Sequence, residues 1–302
     1  MKVYSGLKNL PRGNAVGGII DGCMALEGGA FRGVYTSGVL DFLMEQGINM
    51  RVTVGVSAGS LNGVAYTSGQ VGRAALCNLK YRHDPRWVGR TALKNNHGVI
   101  GFDFLQKDFD KEYPLDEDAF FNTGREFIAV ATNIVTGQPE YFSSIGHSMK
   151  DVYKSVAASS SMPFLSKPVV INGKKYLDGG CATKLPIRWA LEQNYKKLIF
   201  VGTNKAELRR NEKSSLEKMG KVTYKKYPNL VVALGSANRL YNEDCDLMET
   251  AISEGLMFRI SPSEPVQVSR LEGDMEKLGA LYYLGYNDAK NALPALLKYL
   301  NS

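Results

Sequence analysis

The chain has 302 residues, 44% of them hydrophobic and 22% charged, with a formal net charge of +7. That mix is long and apolar enough for one large α/β domain or two smaller ones, and it excludes a disordered chain, a collagen-like repeat and a disulfide miniprotein. Glycine is abundant at 31 residues, whereas histidine is confined to His83, His97 and His147, so any mechanism that needs an imidazole must draw it from the first half.

Gly22 to Leu26 predicts a short buried strand, followed by the glycines 28, 29 and 33. Val34 to Gln46 then predicts a helix with Val34, Gly38, Val39, Phe42 and Leu43 on one stripe, ended by Gly47. Arg51 to Gly55 is a second strand, and a turn at Val56-Ser57-Ala58 opens a helix to about Tyr66. Phe127 to Val135 is a long apolar strand with Gln138 to Ser143 as its hairpin partner, and Lys150 to Ser161 is a helix that stops before Pro163. Val169 to Leu177 reads as a hairpin around Asn172-Gly173, Leu185 to Tyr195 as a helix, and Lys197 to Gly202 as a buried strand. This alternation argues for a parallel sheet covered on both faces.

Two regions depart from the rhythm. Residues 81–120 mix charges and aromatics without clean periodicity and read as an insertion, a lid or a substrate-lining segment, with Trp87, Phe102 and Phe104 equally suited to a packed core. Between Lys205 and Lys226 eight Lys or Arg face three Glu, which is +5 of the total charge of +7. Leu208, Leu216 and Met219 fall on one face if this stretch is a helix, a pattern suited to peripheral contact with an anionic membrane surface. The rest reads as helices, one strand at Leu256 to Ile260, and a last helix from about Ser269 interrupted near Pro294. The expected division is an α/β core over 22–205 and a mostly helical extension over 206–302 packed on it.

The first 22 residues show no apolar stretch of the signal-peptide kind, and no run approaches the roughly 18 apolar residues of a spanning helix. Cys23, Cys77, Cys181 and Cys245 form no CxxC pair and suit reduced thiols in a cytoplasmic protein. The histidines make no HxxxH or HExxH pattern, so no metal or cofactor is expected, and the localised charge gives no reason to expect a nucleic-acid partner.

Gly55-Val56-Ser57-Ala58-Gly59 is a G-x-S-x-G sequence between a strand and a helix. A nucleophilic serine must project from a tight, strained turn, and glycines two residues to either side let the flanking elements approach. The Ala58 amide and the helix N-terminus supply positive potential for a developing oxyanion. Glu27-Gly28-Gly29-Ala30-Phe31-Arg32-Gly33 occupies the preceding strand–helix turn. Read as a dinucleotide loop it lacks the middle glycine and the acid after the second strand. Read as an oxyanion hole, its successive amides turn inward, and Arg32 orients the loop or meets an anion. A serine also needs a base. With no histidine after residue 147, a triad must use His147 or His97; a serine–carboxylate dyad is simpler, with partial burial raising the acid toward a useful pKa. Asp178, in Leu177-Asp178-Gly179-Gly180, is the candidate, although an aspartate before glycine also serves as a plain turn former.

These three elements, in this order, resemble the patatin-like phospholipase family: residues 27–33 its G-G-G-x-[RK]-G loop, 55–59 its nucleophile elbow, and Asp178-Gly179-Gly180 its D-G-[AG] motif, with Ala158 to Pro163 similar to the family's helix end before a proline. Together they span about residues 22–203. The resemblance implies a three-layer α/β/α sandwich with a mostly parallel central sheet and a lipid acyl hydrolase of the phospholipase A or lysophospholipase kind. It implies Ser57 as nucleophile, Asp178 as proton acceptor, and the amides of Gly28, Gly29 and Ala30 as the oxyanion hole, with Arg32, Gly33, Gly55, Gly59, Gly179 and Gly180 in support. Ala30 departs from the family's third loop glycine. Its amide still donates if the backbone stays out of the left-handed region; otherwise the hole is less well formed. A lipid-binding or regulatory protein on an inactive hydrolase scaffold is the alternative reading, and a nucleotide-binding protein a weaker one.

Overall fold

A computed structural model describes residues 2–302. Eight strands form one sheet: β1 (Ile19–Leu26), β2 (Asn49–Val56), β3 (Glu126–Asn133), β4 (Pro139–Ser143), β5 (Val169–Ile171), β6 (Lys174–Asp178), β7 (Leu198–Val201) and β8 (Phe258–Ile260). The order is β8-β7-β1-β2-β3-β6-β5, with β4 also paired to β3. The pairs from β8 to β3 are parallel, whereas β4, β5 and β6 join antiparallel. The main helices are α1 (Gly33–Glu45), α2 (Ala58–Thr67), α3 (Arg73–Tyr81), α4 (Met149–Ser159), α5 (Ile187–Glu192), α6 (Ser215–Thr223), α7 (Pro228–Ser253) and α8 (Met275–Asn301).

The central strands are apolar on both faces, as a doubly covered sheet requires. In β1, Met24 and Leu26 join a cluster with Val34, Tyr35 and Leu43 of α1 and Leu278 and Tyr282 of α8. Cys23 and Ala25 face the other way, onto Ile187 of α5 and Tyr241, Cys245 and Met248 of α7. Phe127 and Ala129 of β3 pack under Val64 of α2 and Val152 and Val156 of α4. Each large side chain buried completely here contributes roughly 1.5–3 kcal/mol. The result is an α/β/α sandwich with a mostly parallel sheet, covered on both faces as the strand–helix alternation predicts. β8 lies beyond residue 205 yet completes one edge of that sheet beside β7.

α1 and α8 cross with their backbones touching. A Cβ on Gly38 would strike the carbonyl of Tyr282, and one on Gly285 the carbonyl of Tyr35. Asp41 of α1 is buried at this crossing, accepting from the Gly72 amide at 2.8 Å and from the Tyr282 hydroxyl at 2.8 Å.

Several expected boundaries shift. The last helix runs unbroken through Pro294, because that residue is exposed and the carbonyl its missing N–H leaves free belongs to exposed Lys290, where water can satisfy it. The expected helix over Leu185 to Tyr195 is only Ile187–Glu192, stopped short by Asn194 at φ +55°. The basic stretch is no continuous amphipathic helix: only Ser215–Thr223 is helical, so Leu208 lies in an irregular segment and does not share a face with Leu216 and Met219. Residues 81–120 contain the helix Arg90–Asn96, a helical stretch from Phe102 to Glu112 and the start of the helix Glu117–Phe121, with Trp87, Phe104 and Phe109 buried against Leu76, Cys77 and Tyr81 of α3. They form a packed wall.

Candidate active site

Two strand ends build the first half of the site. β2 runs into Ser57, which holds φ +54° and ψ −120° before α2 starts at Ala58. Such a backbone costs about 1–3 kcal/mol and needs outside support. The Ser57 amide donates to Ser159 Oγ at the end of α4 at 2.9 Å. A Cβ on Gly55 would lie 2.5 Å from the carbonyl carbon of Gly59, and one on Gly59 would lie 2.5 Å from the Leu26 carbonyl oxygen. The elbow therefore admits no side chain at either glycine, the role their spacing predicts.

β6 ends at Asp178, whose Oδ2 accepts from Ser57 Oγ at 2.7 Å while Oδ1 accepts from the Gly180 amide at 2.7 Å. A Cβ on Gly179 would strike the Val130 carbonyl, so glycine lets the turn close against β3. Burial pushes the Asp178 carboxyl up from its ordinary value, opposed by the Ser57 and Gly180 bonds and by the Lys184 and Arg270 charges. Histidine plays no part in this contact.

β1 ends in the glycine loop. A Cβ on Gly28 would sit 3.0 Å from the Val56 carbonyl oxygen and 3.1 Å from Ser57 Cβ, so the loop lies directly on the serine turn. The amides of Gly28, Gly29 and Ala30 have no acceptor among the described residues. Ala30 is in the left-handed region at φ +50°, the conformation its missing glycine would have eased. Gly33 opens α1 against Ala58, whose Cβ would be 2.7 Å from a Cβ placed there. Asn62 Nδ2 ties the two helices by donating to the carbonyls of Gly33 and Ala58, both at 2.9 Å.

The loop is held from β7. Glu27, 2% exposed, accepts from the Thr203 amide at 2.6 Å and from Asn204 Nδ2 at 2.9 Å, and Thr203 Oγ1 donates to the Gly28 carbonyl at 3.0 Å. Arg32 Nη1 donates to Asn204 Oδ1 at 2.6 Å, which ties the loop to the segment after β7. Thr203 and Asn204 carry no motif of their own, whereas Ser159 lies in the helix end before Pro163. Their neighbours in space come from distant segments, and sequence reading had no signal for those contacts.

Two spaces open beside Ser57. A cavity of about 290 Å³ includes Ser57, Asp178 and the loop 28–30, with Lys184, Arg210 and Arg270 on its wall. The other, a narrow apolar cleft of about 40 Å³, is lined by Ser57, Leu61, Trp87 and Ile100. A second apolar space of about 50 Å³, reaching Leu105 and Phe109, shares Leu61, Asn62, Asn78 and Trp87 with it. Burial pulls the Lys184 ammonium down to about 8, helped by the nearby Arg210 and Arg270 charges. No group of three or more His, Cys, Asp or Glu capable of holding a metal occurs among the described residues.

The patatin-like phospholipase family model matches residues 24–191. The chain belongs to that family. A second model, a domain of unknown function (DUF6363), matches residues 227–301. The uncharacterized protein YjjU of Escherichia coli strain K12 is 30% identical over 185 residues, covering 60% of this chain and 51% of that protein. A probable lipid hydrolase, 463L, of Invertebrate iridescent virus 6 is 27% identical over 192 residues, covering 58% of this chain and 64% of that one. The lysophospholipase nte1 of Aspergillus fumigatus is 30% identical over 185 residues, which is 58% of this chain and 11% of that protein. The chain thus spans between half and two thirds of the first two relatives. Among solved structures, VipD from Legionella pneumophila shares the fold, with a TM-score of 0.52 over 98% of this chain and 71% of that one, at 13% identity.

Proposed function

We propose that this patatin-like protein is a serine acyl hydrolase that cleaves carboxylic esters of lipids, in the manner of a phospholipase A or lysophospholipase. The observation that carries the reading is the 2.7 Å contact between Ser57 Oγ and Asp178 Oδ2 beneath three acceptor-free amides. Ser57 Oγ attacks the acyl carbonyl carbon as its proton passes to Asp178 Oδ2. The carbonyl oxygen becomes an oxyanion held by the amides of Gly28 and Gly29, with a less well-formed third donor at Ala30, whose backbone is strained at φ +50°; one well-placed donor is worth about 3 kcal/mol in the transition state. Collapse breaks the ester bond, and the departing alcohol takes the proton from Asp178. Water then attacks the acyl-Ser57 ester with Asp178 as base, releasing the fatty acid and restoring the serine. The apolar spaces past Leu61 and Trp87, about 40 and 50 Å³, take the first carbons of the acyl chain.

Residues 22–205 carry the chemistry in this reading, and 206–302 support it by completing the sheet edge and outer helices. Peripheral membrane contact falls to α6 and the turn after it. Met219 and Val222 are exposed there, 48% and 79%, among Lys218, Lys221, Lys225 and Lys226. Arg209 and Arg210 are otherwise engaged, with Asp246 at 3.0 Å and Glu27 at 3.8 Å. Among the described residues no helix is long and apolar enough to cross a membrane. The four free, buried cysteines support a cytoplasmic site of action.

A fluorophosphonate probe tests the reaction. It should label the parent protein at Ser57 and fail to label Ser57→Ala, and the parent should release fatty acid from a lysophospholipid. Folded parent protein that takes no label and releases no acid would overturn the reading.

A further inference from the structure

The wall of the larger cavity has a charge pattern that ester hydrolysis by itself does not require. Arg32, Lys184, Arg210 and Arg270 converge on it from four separate segments: the turn after β1, the segment before α5, the segment after β7 and the segment before α8. The carboxylates on the same wall are Glu27 and Asp178. Both are already occupied, Glu27 by Thr203 and Asn204 and Asp178 by Ser57 and Gly180.

The four cations are only partly satisfied: Arg32 Nη1 donates to Asn204 Oδ1 at 2.6 Å and Arg210 lies 3.8 Å from the Glu27 carboxylate. Lys184 and the side chain of Arg270 have no hydrogen-bond or ion-pair partner among the described residues. The Nε atoms of Arg32 and Arg210 are buried without an acceptor. Arg210 is held in place all the same: its guanidinium lies 4.2 Å from the centre of the Tyr241 ring, and Asn242 bonds its backbone amide at 2.7 Å and its carbonyl at 2.9 Å. The Arg270 carbonyl accepts from the Phe31 amide, which fixes that segment to the glycine loop. The mutual repulsion is visible in Lys184 and Arg32, both pushed down by burial and by Arg210 and Arg270. A half-buried cluster of like charges on a fixed frame is a site that an anion completes, and planar guanidinium forks suit phosphate oxygens.

The cluster lines one space and the apolar cleft is another, and the two meet at Ala30, Ser57, Met162 and Leu271. An ester with its acyl chain in the cleft directs its alcohol portion toward the cations. We propose that the leaving group carries a phosphate with no cation of its own, bound by Arg32, Lys184, Arg210 and Arg270, so that acidic phosphate-bearing acyl esters are preferred over zwitterionic and neutral ones. This assignment of the substrate half rests on Ser57 being the reacting centre. A choline or ethanolamine group would bring a positive charge against the same wall, and a monoacylglycerol would leave the cations unpaired.

Binding to the full-length Ser57→Ala protein, in which turnover is removed, tests recognition separately from catalysis. Oleoyl lysophosphatidic acid, oleoyl lysophosphatidylcholine, monooleoylglycerol and oleoyl-coenzyme A are compared as monomers below their micellar concentrations. The acidic lysolipid should bind at least about tenfold more tightly than the choline and neutral forms. Lys184→Met and Arg270→Gln, each added to Ser57→Ala, should bring that ratio close to one. Tighter binding of the coenzyme A ester, competed by coenzyme A alone, also supports phosphate recognition and places the phosphate on a thioester. Equal affinity for acidic and choline lysolipids, or a preference that both substitutions leave unchanged in proteins that retain the parent Tm, overturns the proposal. Preferential binding by Ser57→Ala together with no hydrolysis by the parent would instead overturn the catalytic reading alone.

Discussion

Replacing Asp178 by Asn separates catalysis from stability. Asn keeps an acceptor for the Gly180 amide, now at 2.7 Å from Oδ1, but presents an NH₂ group to Ser57 Oγ in place of the oxygen that now accepts at 2.7 Å. The serine then has no group to take its proton. A positioned base contributes about 10²–10⁴-fold, or roughly 2.7–5.4 kcal/mol of barrier, and Asp178→Asn should lose that much in kcat/KM. Folding moves the other way. Burial holds the Asp178 carboxyl above its ordinary pKa, so its ionised form is disfavoured in the native site, and the neutral amide removes that penalty. The variant should melt at the same temperature as the parent or higher. The assay pairs fatty-acid release from an acidic lysolipid with calorimetric melting of the same preparations. Activity within about tenfold of the parent would refute the base assignment. A melting temperature lowered by more than about 5 °C would mean that Asp178 is structural and that the lost activity says nothing of proton transfer.

The remaining expectations concern pH and packing. Hydrolysis of an anionic substrate should fall above about pH 8 as Lys184 loses its proton, because burial and the neighbouring Arg210 and Arg270 charges pull that ammonium down to about 8 while the buried Cys181 thiol, pushed up, stays neutral. Lys184→Arg should extend this limb in a profile of kcat/KM against pH, and the acid limb, set by raised Asp178, should lie above the ordinary carboxylate range. Asp41 is pushed up to about 7 by burial, so the native protein holds a proton there that the unfolded chain releases above about pH 4. Its contribution is full below the unfolded pKa and lost as pH rises to about 7, a swing of up to about 4 kcal/mol. Asp41→Asn should flatten that slope in urea unfolding at pH 5 and pH 8. Gly59→Ala places a Cβ 2.5 Å from the Leu26 carbonyl oxygen and should cost about 1–3 kcal/mol in stability, measured by urea unfolding, while reducing probe labelling of Ser57.

The parts of the fold that were legible are those governed by local pattern. β1, β2 and β3 with their intervening helices followed from apolar runs punctuated by glycine, and the sandwich followed from their alternation. The candidate site was legible where a residue type is forced by geometry: Gly55 and Gly59 because the elbow excludes a side chain, and Gly179 because the turn closes on β3. What escaped was non-local. The cations at Lys184, Arg210 and Arg270 are scattered over almost 90 positions and meet only after β7 and α8 are in place. The basic stretch looked like one amphipathic helix because charge spacing records composition, whereas Arg210 turns inward to Glu27 and Lys221 pairs with Glu217 at 2.7 Å. Pro294 misled for a related reason: the cost of a missing N–H depends on whether the orphaned carbonyl meets water, which the local sequence does not reveal.

The glycine-to-backbone crossing of α1 and α8 also bears on how the chain folds as it is made. α1 leads directly out of the glycine loop, yet its partner lies some 240 residues later in the sequence. Until Met275–Asn301 has left the ribosome, the face of α1 around Gly38 lacks its partner helix, and the Asp41 carboxyl lacks the Tyr282 hydroxyl and keeps only the Gly72 amide. The segment nearest the reacting serine should therefore be among the last to become rigid, and a nascent chain stalled before residue 275 should expose α1 to proteases and chaperones even though most of its sheet has been synthesised.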